Sequence, residues 1–203
     1  MKLYMNPASP FSRKARVIAR ELNLMALVEE IAVNPATSEE IRRVNPLGKI
    51  PALILDDGSA LFDSPVICEY LNDLGGGKFF PGTSLLRENS GRWRALGLQA
   101  LGDGLADAAV ARTYELRRPE GEKSAAFVAK QEAVIARSLD ALEAMRFAKV
   151  PSIGEIAVAC AVGYLDLRWP ELGWRAARPN LAAWYNEFAK FPSMVATAPA
   201  NPA

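Results

Sequence analysis

The 203-residue chain has no histidine. An imidazole base, a serine–histidine–aspartate triad and a histidine-ligated metal are therefore excluded. Cysteine is almost as scarce: Cys68 and Cys160 are the only two, far apart and each inside an apolar stretch. Two such thiols give no disulfide framework, no zinc ligand set and no Cys-x-x-Cys redox pair, so buried core thiols are expected. No apolar run approaches the ~20 residues needed to cross a bilayer. The segment Met1–Pro7 is too short an apolar run for a signal peptide, and a soluble, cytoplasmic chain is expected. Excess charge is missing as well. With 24 Lys plus Arg against 23 Asp plus Glu, the formal net charge is +1, which gives no strong electrostatic reason to bind nucleic acid or an anionic membrane. What is present is an ordinary globular composition, 50% hydrophobic and 23% charged, at a length that fits one large domain or two small ones.

The first third alternates short strand-like and helix-like segments. Strands are expected at 2–5, 28–33, 52–55 and 59–62, the last two joined by a tight turn at Asp56-Asp57-Gly58. Helices are expected over 10–23, 38–44 and 65–74. The order βαβαββα points to a small mixed sheet covered by helices. Gly75-Gly76-Gly77 and Pro81-Gly82 then break the pattern and mark a domain boundary. Beyond it the sequence reads as helical, over 87–116 (weakened by Gly91, Gly97, Gly102 and Gly104), 122–148, 156–165 and 179–191. The stretch 156–165 carries no charge, so it should be buried on every side. Pro199 and Pro202 mark a loose tail. The expected domains are 1–77, a linker at 78–86, and an all-helical bundle over 87–203.

Three segments carry chemistry. In Ala8-Ser9-Pro10-Phe11-Ser12 the serine is a good N-cap and the proline suits the first helical position. The helix N-terminus there favours an anion, and a serine hydroxyl can donate to a thiolate. A plain strand-to-helix cap is the simpler reading of the same residues. Serine as a nucleophile is disfavoured: no histidine can activate it, and Lys14 would point away from the cap. In Asn45-Pro46-Leu47-Gly48-Lys49-Ile50-Pro51 a cis Ile50–Pro51 bond would leave the Ile50 backbone free to pair with a peptide-like ligand, although a turn before a strand explains the sequence too. In Phe62-Asp63-Ser64-Pro65 a second helix start is set by Ser64, suited to a ligand carboxylate, with Asp63 able to hold an ammonium group. Alone, that motif is an unremarkable cap. A thiolate, a peptide backbone and an α-amino-acid end together describe the tripeptide glutathione.

The chain resembles the glutathione S-transferase family, with residues 1 to about 75 similar to its thioredoxin-like N-terminal domain and the remainder to its all-helical domain. Ser9-Pro-Phe-Ser-x-Lys-x-Arg16 resembles the active-site segment of the serine and cysteine classes. The resemblance implies that Ser9 is the catalytic thiol-contacting residue. It also implies that Phe11, Lys49, Ile50, Pro51, Asp63 and Ser64 join Ser9 in binding glutathione. It places a small hydrophobic electrophile between the domains, where Phe11, Arg112 and Tyr114 are candidates. Glutathione would be a co-substrate, with no metal or other cofactor, in a detoxifying homodimer. A glutathione-dependent thiol reductase and a non-catalytic binding or regulatory relative remain as alternatives. Ser152-Ile-Gly-Glu155 resembles the family's capping box at the start of its central helix and is assigned to folding. Ser152→Ala should cost about 1 kcal/mol, read from the denaturant midpoint. Arg13, Lys14 and Arg16 are expected on a solvated helix face, and Trp93, Trp169, Trp174 and Trp184 in core packing.

Overall fold

The computed structural model describes residues 1–82 and 91–201. Arg87–Ser90 of the expected long helix, the linker residues 83–86 and Pro202 lie outside the described residues. The first part is a four-stranded sheet in the order β2-β1-β3-β4, formed by β1 (Lys2–Met5), β2 (Glu29–Ala32), β3 (Ala52–Ile54) and β4 (Ala60–Leu61). β1 is parallel to β2 and antiparallel to β3, and β3 is antiparallel to β4. The β3–β4 turn closes through Gly58 at φ +85° and an Asp57 carboxylate that accepts from the Ser59 N–H at 2.8 Å. Helices α1 (Pro10–Glu21), α2 (Glu39–Val44) and α3 (Ser64–Leu74) complete the unit. The first helix stops two residues short of the expected end, because Asn23 takes a left-handed φ of +57°.

The rest is helical among the described residues: α4 (Gly91–Leu116), α5 (Ala125–Glu143), α6 (Ile153–Arg168), α7 (Trp174–Ala177), α8 (Pro179–Phe188) and α9 (Pro192–Ala196), with short 3-10 turns at Glu120–Glu122 and Pro170–Leu172. The expected helix over 122–148 is shorter at both ends. Ser124 caps it, accepting from the Phe127 N–H at 3.2 Å, and it ends at Glu143. The last expected helix ends at Phe188, three residues short, and Pro192 opens the separate short α9 at its first helical position. The charge-free stretch lies in α6, and every residue from Ile153 to Leu165 is buried. Its capping box is formed: Ser152 Oγ accepts from the Gly154 N–H at 3.2 Å, and Glu155 returns a bond by accepting from the Ser152 N–H at 2.9 Å. None of these helices is long and apolar enough to cross a membrane.

The glycines of α4 do not interrupt it. Gly102 marks instead where α4 crosses α6 backbone to backbone: a Cβ there would stand 2.7 Å from the Val158 nitrogen and 2.8 Å from the Ala157 carbonyl carbon. Backbone inside two packed helices cannot give way locally, so Gly102→Ala should force the helices apart. The expected cost is about 2 kcal/mol, measured as a lowered urea midpoint, although alanine is the better helix former.

Two expectations are corrected here. Arg13, Lys14 and Arg16 are buried, not solvated, because α1 packs against α3, α4, α6 and α9. Each head group meets a partner: Arg13 Nη2 donates to the Met194 carbonyl at 3.0 Å, Lys14 Nζ lies 2.6 Å from both carboxylate oxygens of Asp103, and Arg16 Nε lies 3.0 Å from Glu30. Trp93 is 63% exposed on α4 and packs no core, whereas Trp174 is buried and Trp184 stacks on Phe147 with ring centroids 3.9 Å apart. Cys68 and Cys160 are buried, and burial pushes their thiols up to about 12 and about 11, which leaves them protonated and inert.

Candidate active site

Strand register brings the three sequence segments together. The end of β1 lies beside the start of β3 because Tyr4 pairs with Ala52. The start of β3 lies beside the end of β4 because Leu53 pairs with Leu61. The chain leaves β1 toward Ser9, enters β3 through Ile50–Pro51 and leaves β4 toward Asp63–Ser64, so all three sit at one end of the sheet. Both α1 and α3 begin there, which points two helix N-termini at the same place.

Ser9 is the N-cap of α1, and its Oγ accepts from the Ser12 N–H at 3.1 Å. That bond uses an oxygen lone pair and leaves the hydroxyl proton free to be donated elsewhere. Ser9 is half-buried. Ser12 is fully buried, and its Oγ accepts from the Asn6 N–H at 3.4 Å. The Ile50–Pro51 bond is cis. Among the described residues, the Ile50 N–H and C=O enter no turn, loop or cap hydrogen bond. The segment is shaped by Asn45, a residue to which the sequence reading gave no role. Fully buried, it donates from Nδ2 to the Lys49 carbonyl at 2.7 Å and accepts from the Leu47 N–H at 3.0 Å. Its Asn-Pro-x-Gly spacing, with Gly48 at φ +62°, is the turn signal that could have revealed it.

At the third segment α3 starts one residue earlier than expected. Asp63, not Ser64, is the N-cap, and its carboxylate makes no cap hydrogen bond. Asp63 is exposed and Ser64 is buried as the first helical residue. The helical domain closes the other side. Asp103, fixed by Lys14, and Asp107 lie four residues apart on one face of α4, and Tyr114 continues that stripe. Asp107 is exposed, yet partial desolvation raises its carboxyl above the usual carboxylate range; Asp103 reinforces the shift, Lys49 opposes it and Asp63 adds to it. The charges of Lys49 and Asp63 both reach Asp107, so the second and third segments lie on the side of α4 that carries it.

Because Asp107 gains protons more readily in the folded chain than in the unfolded one, its charge disfavours folding at neutral pH. That penalty fades as pH falls through its raised folded-state value. Asp107→Asn is therefore expected to unfold at higher urea concentration than the parent at pH 7, and at the same concentration near about pH 3, below the ordinary aspartate value.

The three expected electrophile-pocket residues fare differently. Tyr114 is 56% exposed and Phe11 half-buried. Arg112 is corrected. It lies about 140° round α4 from Asp107, with its guanidinium 3.5 Å from the Trp169 ring centroid and 2.7 Å from Glu132 of α5. It is engaged within the helical domain, which a single helix pattern cannot reveal.

Residues 8–74 match the family model for the glutathione S-transferase N-terminal domain, and residues 107–187 match that for the C-terminal domain. The chain belongs to the glutathione S-transferase family. It is 33% identical over 187 residues to the GST-like protein YibF of Escherichia coli K12, covering 89% of this chain and 90% of that one. A glutathione transferase family member from Pseudomonas fluorescens Pf-5, solved with bound glutathione, superposes with a TM-score of 0.87 at 41% identity, covering 98% and 99% of the two chains. A family member of that organism with bound S-(propanoic acid)-glutathione gives 0.85 at 43% identity, covering 99% and 100%.

Proposed function

We propose that this chain is a glutathione transferase in which Ser9 holds the glutathione thiolate for attack on a small hydrophobic electrophile. One observation carries the reading: a hydroxyl with an uncommitted proton stands at a helix N-terminus beside a cis-proline edge and a second helix start. Glutathione bound to the Pseudomonas relative, 41% identical along nearly the whole chain, supports the same ligand. In this reading the Ile50 backbone pairs with the cysteinyl backbone of glutathione, and Pro51 and Phe11 shape its bed. Lys49 attracts a carboxylate. The Ser64 N–H and the α3 N-terminus receive the γ-glutamyl carboxylate, and Asp63 receives its ammonium group.

Glutathione gives up its thiol proton to solvent on binding. A hydrogen bond to a charged group contributes roughly 1.5–3 kcal/mol, or one to two pKa units, enough to ionise much of a thiol of pKa about 8.5 at neutral pH. The sulfur lone pair then forms the C–S bond. Where the electrophile carries a leaving group, that group departs with the electron pair of the bond it breaks. Where it is an activated double bond, the carbanion takes a proton from water. Holding both reactants in one cleft supplies much of the rate, and no metal or organic cofactor enters. The electrophile lies between Phe11 and the Tyr114 stripe of α4.

A homodimer accompanies this reading. Val66 on α3 and Trp93 on α4 are exposed, and Arg92 ties the two helices through Glu69 at 2.5 Å, so these two side chains are the candidates to meet a second copy.

The test is calorimetry with glutathione followed by conjugation assays on a panel of aryl halides, epoxides and enones. Binding with turnover supports the transferase. Binding without turnover of any electrophile favours a regulatory protein, and reduction of glutathionyl substrates would favour a reductase. The buried Ser12 and the absence of a thiol at Ser9 stand against that last outcome.

A further inference from the structure

The turn that carries Ser9 is built on Asn6. β1 ends at Met5, and Asn6-Pro7-Ala8-Ser9 leads the chain into α1. The Ser9 N–H donates to the Asn6 carbonyl at 3.0 Å, which closes a four-residue turn with Pro7 at its second position. The Asn6 side chain braces the same turn. Its Oδ1 accepts from the Ala8 N–H at 3.0 Å, and its Nδ2 donates to the Val33 carbonyl at 3.2 Å. An N–H needs the oxygen end of an amide and a carbonyl needs the nitrogen end, so these two partners fix its orientation. Where β1 and β2 part, the Val33 N–H donates to the Met5 carbonyl at 2.8 Å. The Nδ2 bond adds one more rung from a side chain, after the backbone has turned away.

Asn6 also closes a circuit with both serines. The Asn6 N–H donates to Ser12 Oγ at 3.4 Å, the Ser12 N–H donates to Ser9 Oγ at 3.1 Å, and the Ser9 N–H returns to the Asn6 carbonyl. Ser9 is thereby held in an extended cap conformation, φ −76° and ψ 123°, with its Oγ pinned through a lone pair. The Ser9 hydroxyl proton stays outside the circuit. A hydrogen bond weakens steeply as its angle departs from linearity, so the turn that fixes Oγ also governs the strength of any bond that proton makes.

We infer that Asn6 is a positioning residue for the Ser9 hydroxyl: by tying the β1–α1 turn to the end of β2 it sets where that hydroxyl points, and so how strongly the bound thiolate is stabilised. The inference rests on the role proposed for Ser9. Asn6 acts through Ser9 alone, because its own amide is engaged by Ala8 and Val33.

Asn6→Ala removes both side-chain bonds. In a thiolate absorbance titration it should raise the pKa of the bound glutathione thiol by about half a unit or more, a roughly threefold loss of thiolate, and by less than Ser9→Ala does. The same substitution made in Ser9→Ala should give no further shift, because the hydroxyl it acts through is gone. A residue that only stabilised the fold would leave both titrations unchanged. Asn6→Ser, whose hydroxyl can accept from the Ala8 N–H but is too short to reach Val33, should titrate between parent and alanine. Should Asn6→Ala fail to fold, Asn6→Ser decides: a thiol above the parent's supports the inference and an unshifted one overturns it. Asn6→Ala matching the parent while Ser9→Ala is shifted overturns the inference and leaves the role of Ser9 standing. An equal shift from Asn6→Ala with and without the Ser9 hydroxyl overturns it as well. Matching curves for the parent and Ser9→Ala would remove Ser9 from the chemistry, and this inference with it.

Discussion

Lys14→Met is expected to destabilise the fold by about 3 kcal/mol, the lower end of the range for breaking a buried ion pair. Lys14 is 1% exposed, and its ammonium group bridges both oxygens of Asp103, linking α1 of the sheet domain to α4 of the helical one. Methionine keeps the length and the apolar stem but leaves the Asp103 carboxyl without its cation, in a site where burial already pushes it above the usual range against the pull of Lys14. The lower end applies because the Asp103 side chain keeps 20% of its surface in water. Two further readings separate lost charge pairing from lost packing. The double variant Lys14→Met with Asp103→Leu should recover most of the loss, since apolar replacement of a whole buried pair is often nearly neutral. The deficit of the single variant should also shrink on acidification, because a carboxyl whose folded-state pKa is raised burdens the fold only while ionised. A urea midpoint close to the parent's, or a double variant no better than the single, would contradict this account of the domain contact.

Ser9→Ala is expected to lower conjugation at neutral pH by roughly ten- to a hundredfold, the kinetic equivalent of one charge-assisted hydrogen bond. Glutathione affinity should change far less, because in the proposed binding mode Ile50, Lys49, Asp63 and Ser64 hold its peptide backbone and two termini. The loss should narrow as pH rises, since the bound thiol then ionises without help. The substitution also removes the α1 cap, which costs about 1 kcal/mol of stability, so the comparison is made well below the melting range. Ser9→Thr retains both the hydroxyl and the cap and should keep more activity than alanine. Equal rates for parent and alanine variant across the pH range would remove Ser9 from the chemistry.

The features legible in the sequence are those set by local chemistry. The starts of α1 and α6 follow from Ser9-Pro10 and Ser152-x-x-Glu155, the cis turn from Ile50–Pro51, and the burial of α6 from its lack of charge. What escaped depended on partners far along the chain. Lys14 meets Asp103 across 89 residues and Arg13 meets the Met194 carbonyl across 181, so a charged stripe that looks solvated is in fact interior. The family resemblance, which puts the second substrate between the domains, suggests Arg112 along with Tyr114, but a helix turns nearby residues to different sides, and Trp169 and Glu132 claim Arg112. Gly102 looked like a defect in α4 because the helix that needs it, α6, lies some fifty residues downstream. Asp103 and Asp107 lacked any local motif, and only the packing of α4 against α1 sets them at the cleft.

The most direct measurement is a thiolate absorbance titration of glutathione bound to the parent and to Ser9→Ala. The account predicts a bound thiol ionising one to two units below the free value of about 8.5 in the parent, and at least about one unit higher than that in the variant. Identical titration curves for the two proteins would contradict it.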